Sequence, residues 1–237
     1  ADKTPVDVKK FKNLQGVIDA VYNPLRTNFV LDSESIGAKG RGGLYMLVAQ
    51  AVYASALFLD KTADENVIDK TYARILKEKR NIVLCGMPSS GKTTVGKALA
   101  NDFGKKFIDT DDVVVEKKKE SISDIFEKYG EGEFRKEERL AIEELSKENG
   151  LVIATGGGAV LDENNVRALK RNGVILFLDR SLENLVATAD RPLSKDKEKL
   201  KNLFEKRYDV YKSCADAVIP ADGEIADVVE KIKGVLL

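Results

Sequence analysis

Gly86-Met87-Pro88-Ser89-Ser90-Gly91-Lys92-Thr93 lies between an apolar run, Ile82-Val83-Leu84-Cys85, and Thr94-Val95-Gly96-Lys97-Ala98-Leu99-Ala100, which opens a helix. Strand, loop and helix in that order are what a phosphate-binding loop of the G-x-x-x-x-G-K-[ST] type requires. The glycines let the backbone curl until successive N–H groups point inward, and the helix N-terminus adds the positive end of its dipole. Lys92 supplies a point charge for the outer phosphates, and the Thr93 hydroxyl supplies a ligand for Mg²⁺. Gly86, Ser89, Ser90, Gly91, Lys92, Thr93 and Thr94 are therefore the expected nucleotide-binding residues. A chance glycine-rich turn has no reason to carry both flanks. The stretch predicts binding of a nucleoside triphosphate.

Outward from the loop, strands and helices alternate from Asn81 to the C-terminus. That alternation predicts an α/β domain of three layers, α/β/α, around a parallel sheet. Strands are expected at 82–85, 106–109, 151–155, 174–178 and 217–219. Helices are expected at 92–103, 122–129 with Ser121 as cap, 133–149 stopped by Gly150, 182–188, 197–213 and 225–235. Open α/β sheets bind ligands at the C-terminal ends of their strands, and several candidates fall there. Asp109 and Asp111 stand two apart in a segment read as extended, which puts them on one face. One carboxylate beside Thr93 holds Mg²⁺ through water, and its neighbour accepts a substrate hydroxyl. An Asp-x-Asp alone is commonly a solvated turn; next to a phosphate-loop strand it reads as a site. Gly156-Gly157-Gly158 follows an apolar strand and admits a ligand close to the backbone. Arg135, on a charged helix, reads by itself as a surface residue.

Composition excludes several classes. Thirty-nine basic and 39 acidic residues cancel, so no global field recruits nucleic acid or an anionic membrane. The chain has no histidine, which removes histidine acid–base catalysis and histidine-ligated metal. Two cysteines, Cys85 and Cys214, are too few for a disulfide framework and suit a reducing compartment. Cys85 falls in a strand and reads as core. With no signal peptide and no apolar run of membrane-spanning length, a cytoplasmic location is expected. The first residue is Ala rather than Met, which points to processing or excision from a longer chain.

The first part of the chain reads differently. After a polar lead-in, 16–24 is expected to be a strand ended by Asn23-Pro24, and 25–36 a short helix. Gly37-Ala38-Lys39-Gly40-Arg41-Gly42-Gly43 does not fit G-x-G-x-x-G and reads as a connector, not a dinucleotide site. Residues 44–59 are apolar and alanine-rich, a helix expected to be buried on most sides, and 64–79 is a more polar helix. One strand and three helices give too little core to fold alone. Residues 1–78 are accordingly read as an appendage to a main domain at 79–237.

The motifs of the main domain together resemble shikimate kinase. They are Gly86–Thr93, Phe107-Ile108-Asp109-Thr110-Asp111, Ser121-Ile122-Ser123-Asp124-Ile125-Phe126, Gly132-Glu133-Phe134-Arg135-Lys136-Glu137-Glu138, Thr155-Gly156-Gly157-Gly158-Ala159-Val160, Arg191-Pro192-Leu193 and Arg207-Tyr208-Asp209-Val210-Tyr211. The resemblance implies transfer of the γ-phosphoryl group of ATP, with Mg²⁺, to the 3-hydroxyl of shikimate, a step of chorismate and aromatic amino acid biosynthesis. It implies that Asp109 serves the Mg²⁺ shell with Thr93 and that Asp111 binds and polarises the shikimate hydroxyl. Arg135, Arg207 and the Gly157–Gly158 backbone would clamp the substrate carboxylate. Arg191 would come from a lid over the phosphates and join Lys92 and Asp111 in catalysis. Two departures stand out. Ala187-Thr188-Ala189-Asp190 lacks the arginine that often stacks on adenine in relatives, and Pro220-Ala221-Asp222-Gly223-Glu224 lacks a basic residue.

The first part is similar to the C-terminal end of shikimate dehydrogenase through Asp19-Ala20-Val21-Tyr22-Asn23-Pro24-Leu25-Arg26-Thr27 and Gly43-Leu44-Tyr45-Met46-Leu47-Val48-Ala49-Gln50-Ala51. That likeness places Tyr22 and Gln50 at a shikimate–nicotinamide cleft. The glycine-rich cofactor loop and the catalytic Lys and Asp of that family have no counterpart, so a non-catalytic remnant is implied. Its implied partner is the rest of a dehydrogenase module. Two competing readings are a P-loop kinase of another small acceptor, such as a nucleoside monophosphate or gluconate, and a tethered assembly subunit that docks through residues 1–75.

Overall fold

The computed structural model describes residues 4–185 and 197–236. Contacts divide the chain into two units, residues 1–80 with 170–172 and residues 81–169 with 173–237.

In the N-terminal unit β1 (Gly16–Ile18) pairs in parallel with β2 (Lys39–Arg41), Gly16 opposite Lys39 and Ile18 opposite Arg41. The strand is shorter than the 16–24 expected, and Asp19 is the reason. Its carboxylate accepts from Val21 N at 3.0 Å and Thr27 Oγ1 at 2.6 Å, drawing the chain into a turn. The glycine stretch read as a connector holds β2. Gly40 permits this, since a Cβ there would meet Val30 Cγ1 at 2.8 Å and Ser33 Oγ at 2.9 Å on α1 (Asn28–Ser35). Two longer helices follow, α2 (Leu44–Phe58) and α3 (Glu65–Lys79), the latter capped by Asp64.

The expectation that the apolar helix is buried on most sides is corrected: only Leu44 and Val48 of α2 are buried, and Phe58 is 86% exposed. The helix packs along α3, and one neighbour cannot cover a surface that is apolar all round. Between them runs an apolar groove of about 510 Å³, lined by residues that include Val48, Val52, Val67 and Ile75.

The second unit is built on β3 (Asn81–Cys85), which leads through the phosphate loop to α4 (Lys92–Phe103). Then come β4 (Lys106–Asp109), α5 (Thr110–Lys118), α6 (Ile122–Leu145), β5 (Leu151–Ala154), α7 (Glu163–Asn172), β6 (Gly173–Asp179), α8 (Lys197–Cys214), β7 (Ala217–Pro220) and α9 (Ile225–Leu236). The five strands form one parallel sheet in the order β4-β5-β3-β6-β7. Strand periodicity splits the core between two layers of helices. Val83 and Cys85 join Ile153, Ile175 and Phe177 against Ile142, Leu169 and Tyr211. Ile82 and Leu84 join Val152, Leu176 and Leu178 against Val95, Leu99, Val228 and Ile232. Side chains of this size each contribute roughly 1.5–3 kcal/mol on burial, so both faces of β3 are fixed firmly. Neither cysteine is in a disulfide, and both are buried in the first of these layers.

Two helices escaped the sequence reading. α5 begins directly after β4 because the Asp109 side chain accepts from Asp111 N at 3.1 Å and caps it. α7 starts the same way, Asp162 accepting from Asn164 N at 2.9 Å. The helix expected at 182–188 is a single 3₁₀ turn at Leu182–Asn184, and its remainder lies outside the described residues. The two helices expected at 122–149 run end to end as α6, broken where Gly130 takes a φ of 81° that side chains rarely adopt. Among the described residues no helix is long and apolar enough to cross a membrane.

Candidate active site

The phosphate loop sits at the C-terminal end of the central strand, where the chain turns toward β4 on one side and later toward β6 on the other. Such a switch point leaves a crevice. Gly86 (φ 141°) and Gly91 (φ 92°) supply backbone conformations that side chains rarely adopt. A Cβ on Gly86 would lie 2.9 Å from Leu178 O. Lys92 is buried, and its ammonium donates to Gly86 O at 3.0 Å and Met87 O at 2.8 Å, folded back over the loop. Ser90 Oγ is buried with no hydrogen-bond partner among the described residues. A curled backbone with a stored cation and an unsatisfied hydroxyl fits a polyphosphate.

Thr93 Oγ1 donates to Asp109 Oδ2 at 2.9 Å, so the hydroxyl and the carboxylate stand side by side at the start of α4. Both are hard oxygen donors of the kind Mg²⁺ takes together with phosphate and water. Asp109 and Asp111 do not share a face, contrary to the extended reading. Asp109 ends β4, whereas Asp111 lies in the first turn of α5. A Cβ on Gly156 would meet Asp111 Oδ1 and Glu138 Oε1, each at 2.5 Å, so Asp111 Oδ1 lies against the first residue of the triple glycine.

Arg135 is no solvated surface residue. Its Nη1 donates to Glu138 Oε2 at 2.7 Å, and its Nε and Nη2 both reach Glu131 Oε1, at 3.2 and 3.0 Å. The guanidinium lies against the backbone of Gly158, where a Cβ would come within 2.3 Å of Nη2. Arg207, 7% exposed, donates from Nη1 to Gly157 O at 3.1 Å, and the Tyr211 hydroxyl donates to the same oxygen. Gly157 also approaches the phosphate loop: a Cβ there would lie 3.2 Å from Pro88 Cδ. The structure therefore brings Asp111, Arg135, Gly157, Gly158 and Arg207 together beside the loop. Arg191 lies outside the described residues. Tyr22 and Gln50 are exposed.

Electrostatics around the arginines are uneven. Burial raises the Glu138 carboxyl above its ordinary value; Arg135 opposes this, and the nearby Asp111 charge adds to it. Burial works against the charge of Arg135, but Glu138 and then Glu131 outweigh it and raise its pKa. The two partners differ because Glu138 is 1% exposed and the guanidinium is not so fully enclosed, so burial dominates at the carboxylate. Tyr211 is pushed up to about 12, chiefly by burial.

Three residues were missed in the sequence. Glu131 and Glu138 stand four before and three after Arg135, the spacings at which helical side chains meet, and that signal was available. Arg180 follows β6; its Nη1 would lie 3.9 Å from a Cβ on Gly91, and its Nε is buried without a hydrogen-bond partner among the described residues. Nothing local in the sequence marks it, because its neighbour belongs to another strand's loop.

A parallel sheet whose central strand delivers a Lys-Thr phosphate loop, with carboxylates at the next strand's end, defines a P-loop phosphotransferase. The family model for shikimate kinase matches residues 88–236. Shikimate kinase of Clostridium beijerinckii is 40% identical over 163 residues, spanning 67% of this chain and 96% of its own. That of Sulfurihydrogenibium sp. is 44% identical over 159 residues, spanning 65% and 95%. The solved shikimate kinase from Acinetobacter baumannii, in complex with shikimate, superposes with a TM-score of 0.65 at 33% identity, covering 69% of this chain and 96% of that one. The Aquifex aeolicus enzyme gives 0.59 at 36% identity, covering 66% and 95%. The chain belongs to the shikimate kinase family.

Proposed function

We infer that this chain transfers the γ-phosphoryl group of ATP to the 3-hydroxyl of shikimate. The observation that carries the substrate is the two-arginine cradle beside the phosphate loop, in which Arg135 lies over Gly158 and Arg207 over Gly157 O. Two guanidinium groups on the acceptor side suit an anionic acceptor, and among anionic acceptors membership of the shikimate kinase family favours shikimate.

Gly86, Ser89, Ser90, Gly91, Lys92, Thr93 and Thr94 hold the polyphosphate, with the Lys92 ammonium moving from the loop carbonyls to the phosphate oxygens. Thr93 and Asp109 hold Mg²⁺, which neutralises phosphate charge when bound. Arg180, beside Gly91, adds a cation on the nucleotide side. Asp111 receives the acceptor hydroxyl and takes its proton, while Arg135, Arg207 and the Gly157 and Gly158 backbone fix the carboxylate. Arg191 belongs to the same catalytic set. Transfer then rests on positioning and on charges placed where the transferring group needs them.

For the N-terminal unit the reading rests on its likeness to the end of a shikimate dehydrogenase, with docking to the rest of such a module as its role. The family model begins at residue 88 and does not reach it. A coupled assay with ATP and Mg²⁺ against shikimate, gluconate and nucleoside monophosphates tests the reaction. Turnover with shikimate alone is expected, and turnover with another acceptor in its place would overturn the assignment.

A further inference from the structure

We propose that Glu131 is a specificity-determining residue that occupies the carboxylate-binding edge of Arg135 until substrate displaces it. The proposal rests on the reading of Arg135 as the carboxylate clamp. One guanidinium here is held by two carboxylates, and their situations differ. Glu138 is 1% exposed, meets Nη1 at 2.7 Å, and is enclosed with Asp111 against Gly156. Glu131 is 48% exposed and places a single oxygen against both Nε and Nη2. Those two donors form the side-on fork that a carboxylate takes with two parallel hydrogen bonds. Gly158 covers the guanidinium closely enough that a Cβ would clash, so an incoming acid must approach along an edge.

Charge decides which carboxylate yields. Glu131 and Glu138 both sit on Arg135, so an incoming acid has to take the place of one of them. Displacing the solvent-exposed Glu131 is cheap, because exposed ion pairs are weak. Displacing Glu138 would strand a buried charge. The chain also permits the movement. Glu131 follows directly on Gly130, whose φ of 81° breaks α6, so the side chain sits in the first turn after the break. Glu131 thus sets a threshold: an acceptor with a carboxylate competes for the fork, and one without a carboxylate gains nothing there.

Calorimetric titration of shikimate into the whole chain and its E131Q and R135A variants tests this, with ADP binding as the check on folding. Removing the competing charge should lower the shikimate Kd of E131Q by about two- to fivefold, the range of an exposed ion pair. The KM for ATP should stay as it is, while the KM for shikimate falls. If Glu131 instead holds Arg135 in place for substrate, E131Q weakens binding; if it is an idle surface residue, the Kd does not move. Either result overturns the proposal. R135A separates the two levels: lost shikimate binding in R135A alongside an unimproved E131Q rejects Glu131 alone, whereas retained binding in R135A rejects the clamp itself.

Discussion

Gly158→Ala disturbs the acid cradle without changing any charge, and the structure states how far. Gly158 has φ −110° and ψ −3°, on the negative-φ side that alanine occupies in turns, so the substitution requires no left-handed backbone. Its Cβ would stand 2.3 Å from Arg135 Nη2, 2.5 Å from Cζ and 2.6 Å from Nη1. That is about 1 Å inside ordinary contact, so the whole guanidinium must withdraw by about that much. The clashing atoms are the end of a flexible side chain, and the stability lost should stay within the roughly 1–3 kcal/mol of a modest overpacking. Binding is less forgiving. A misplacement of about 1 Å in a positioning group can cost about a hundredfold, so a tenfold to hundredfold rise in the shikimate KM is expected. Gly156→Ala is the contrast, because its Cβ would meet Asp111 Oδ1 and the enclosed Glu138 at 2.5 Å each. Neither carboxylate has the same room to withdraw, so that variant should lose about 3 kcal/mol or more. Thermal melts with steady-state kinetics on both variants decide the matter. A Gly158→Ala enzyme with wild-type shikimate KM would show that Arg135 does not hold the substrate.

Three further outcomes are expected. Lys92→Ala should abolish turnover while calorimetry still detects shikimate, since its ammonium serves only the phosphate loop; equal loss of ATP and shikimate affinity would contradict this. Arg180→Ala should raise the KM for ATP several-fold with the shikimate KM unchanged, and an unchanged ATP KM would remove Arg180 from the nucleotide side. Burial raises the Glu138 carboxyl above its ordinary value, so the folded chain holds that proton longer than the unfolded one. The associated stability is full below the unfolded pKa and is lost as pH rises through the folded one. Urea denaturation of wild type and E138Q between about pH 4 and pH 8 should therefore give profiles that diverge as pH rises, and parallel profiles would contradict the shift.

Much of this was legible in the sequence because it depends on local order. The phosphate loop announces itself by spacing, and α4 occupies the residues its pattern indicates. The strands of the main sheet were legible because both faces of each are apolar, so a short apolar run is signal enough. What stayed hidden depends on partners distant in sequence. Arg135 looks like surface until Gly158 is folded against it. Arg180 looks like the end of a strand until the phosphate loop arrives beside it. In the N-terminal unit β2 was hidden by Gly40, which weakens any strand pattern and is present because α1 leaves no space for a side chain. The burial expected of α2 failed because composition records how apolar a helix is, not how many neighbours it has.

The error over Asp109 and Asp111 bears on mechanism. Were the segment extended, both carboxylates would point the same way and crowd one end of the reaction with negative charge. The observed change from β4 to α5 between them turns them apart. Asp109 spends one oxygen on Asp111 N as a helix cap and the other on Thr93, which commits it to the nucleotide side. Asp111, in the first helical turn, is carried to Gly156 on the acceptor side. The cap that starts the helix thus also separates the residue suited to Mg²⁺ from the residue suited to a hydroxyl, at a spacing of two positions. Asp109→Ala should accordingly damage more than metal binding: losing an N-cap costs about 0.5–2 kcal/mol and loosens the turn that aims Asp111. Asp109→Asn keeps a capping oxygen and should retain shikimate affinity while losing turnover, which calorimetry and kinetics on the two variants can tell apart. Equal shikimate affinity in both variants would mean that Asp111 is aimed by something other than this cap.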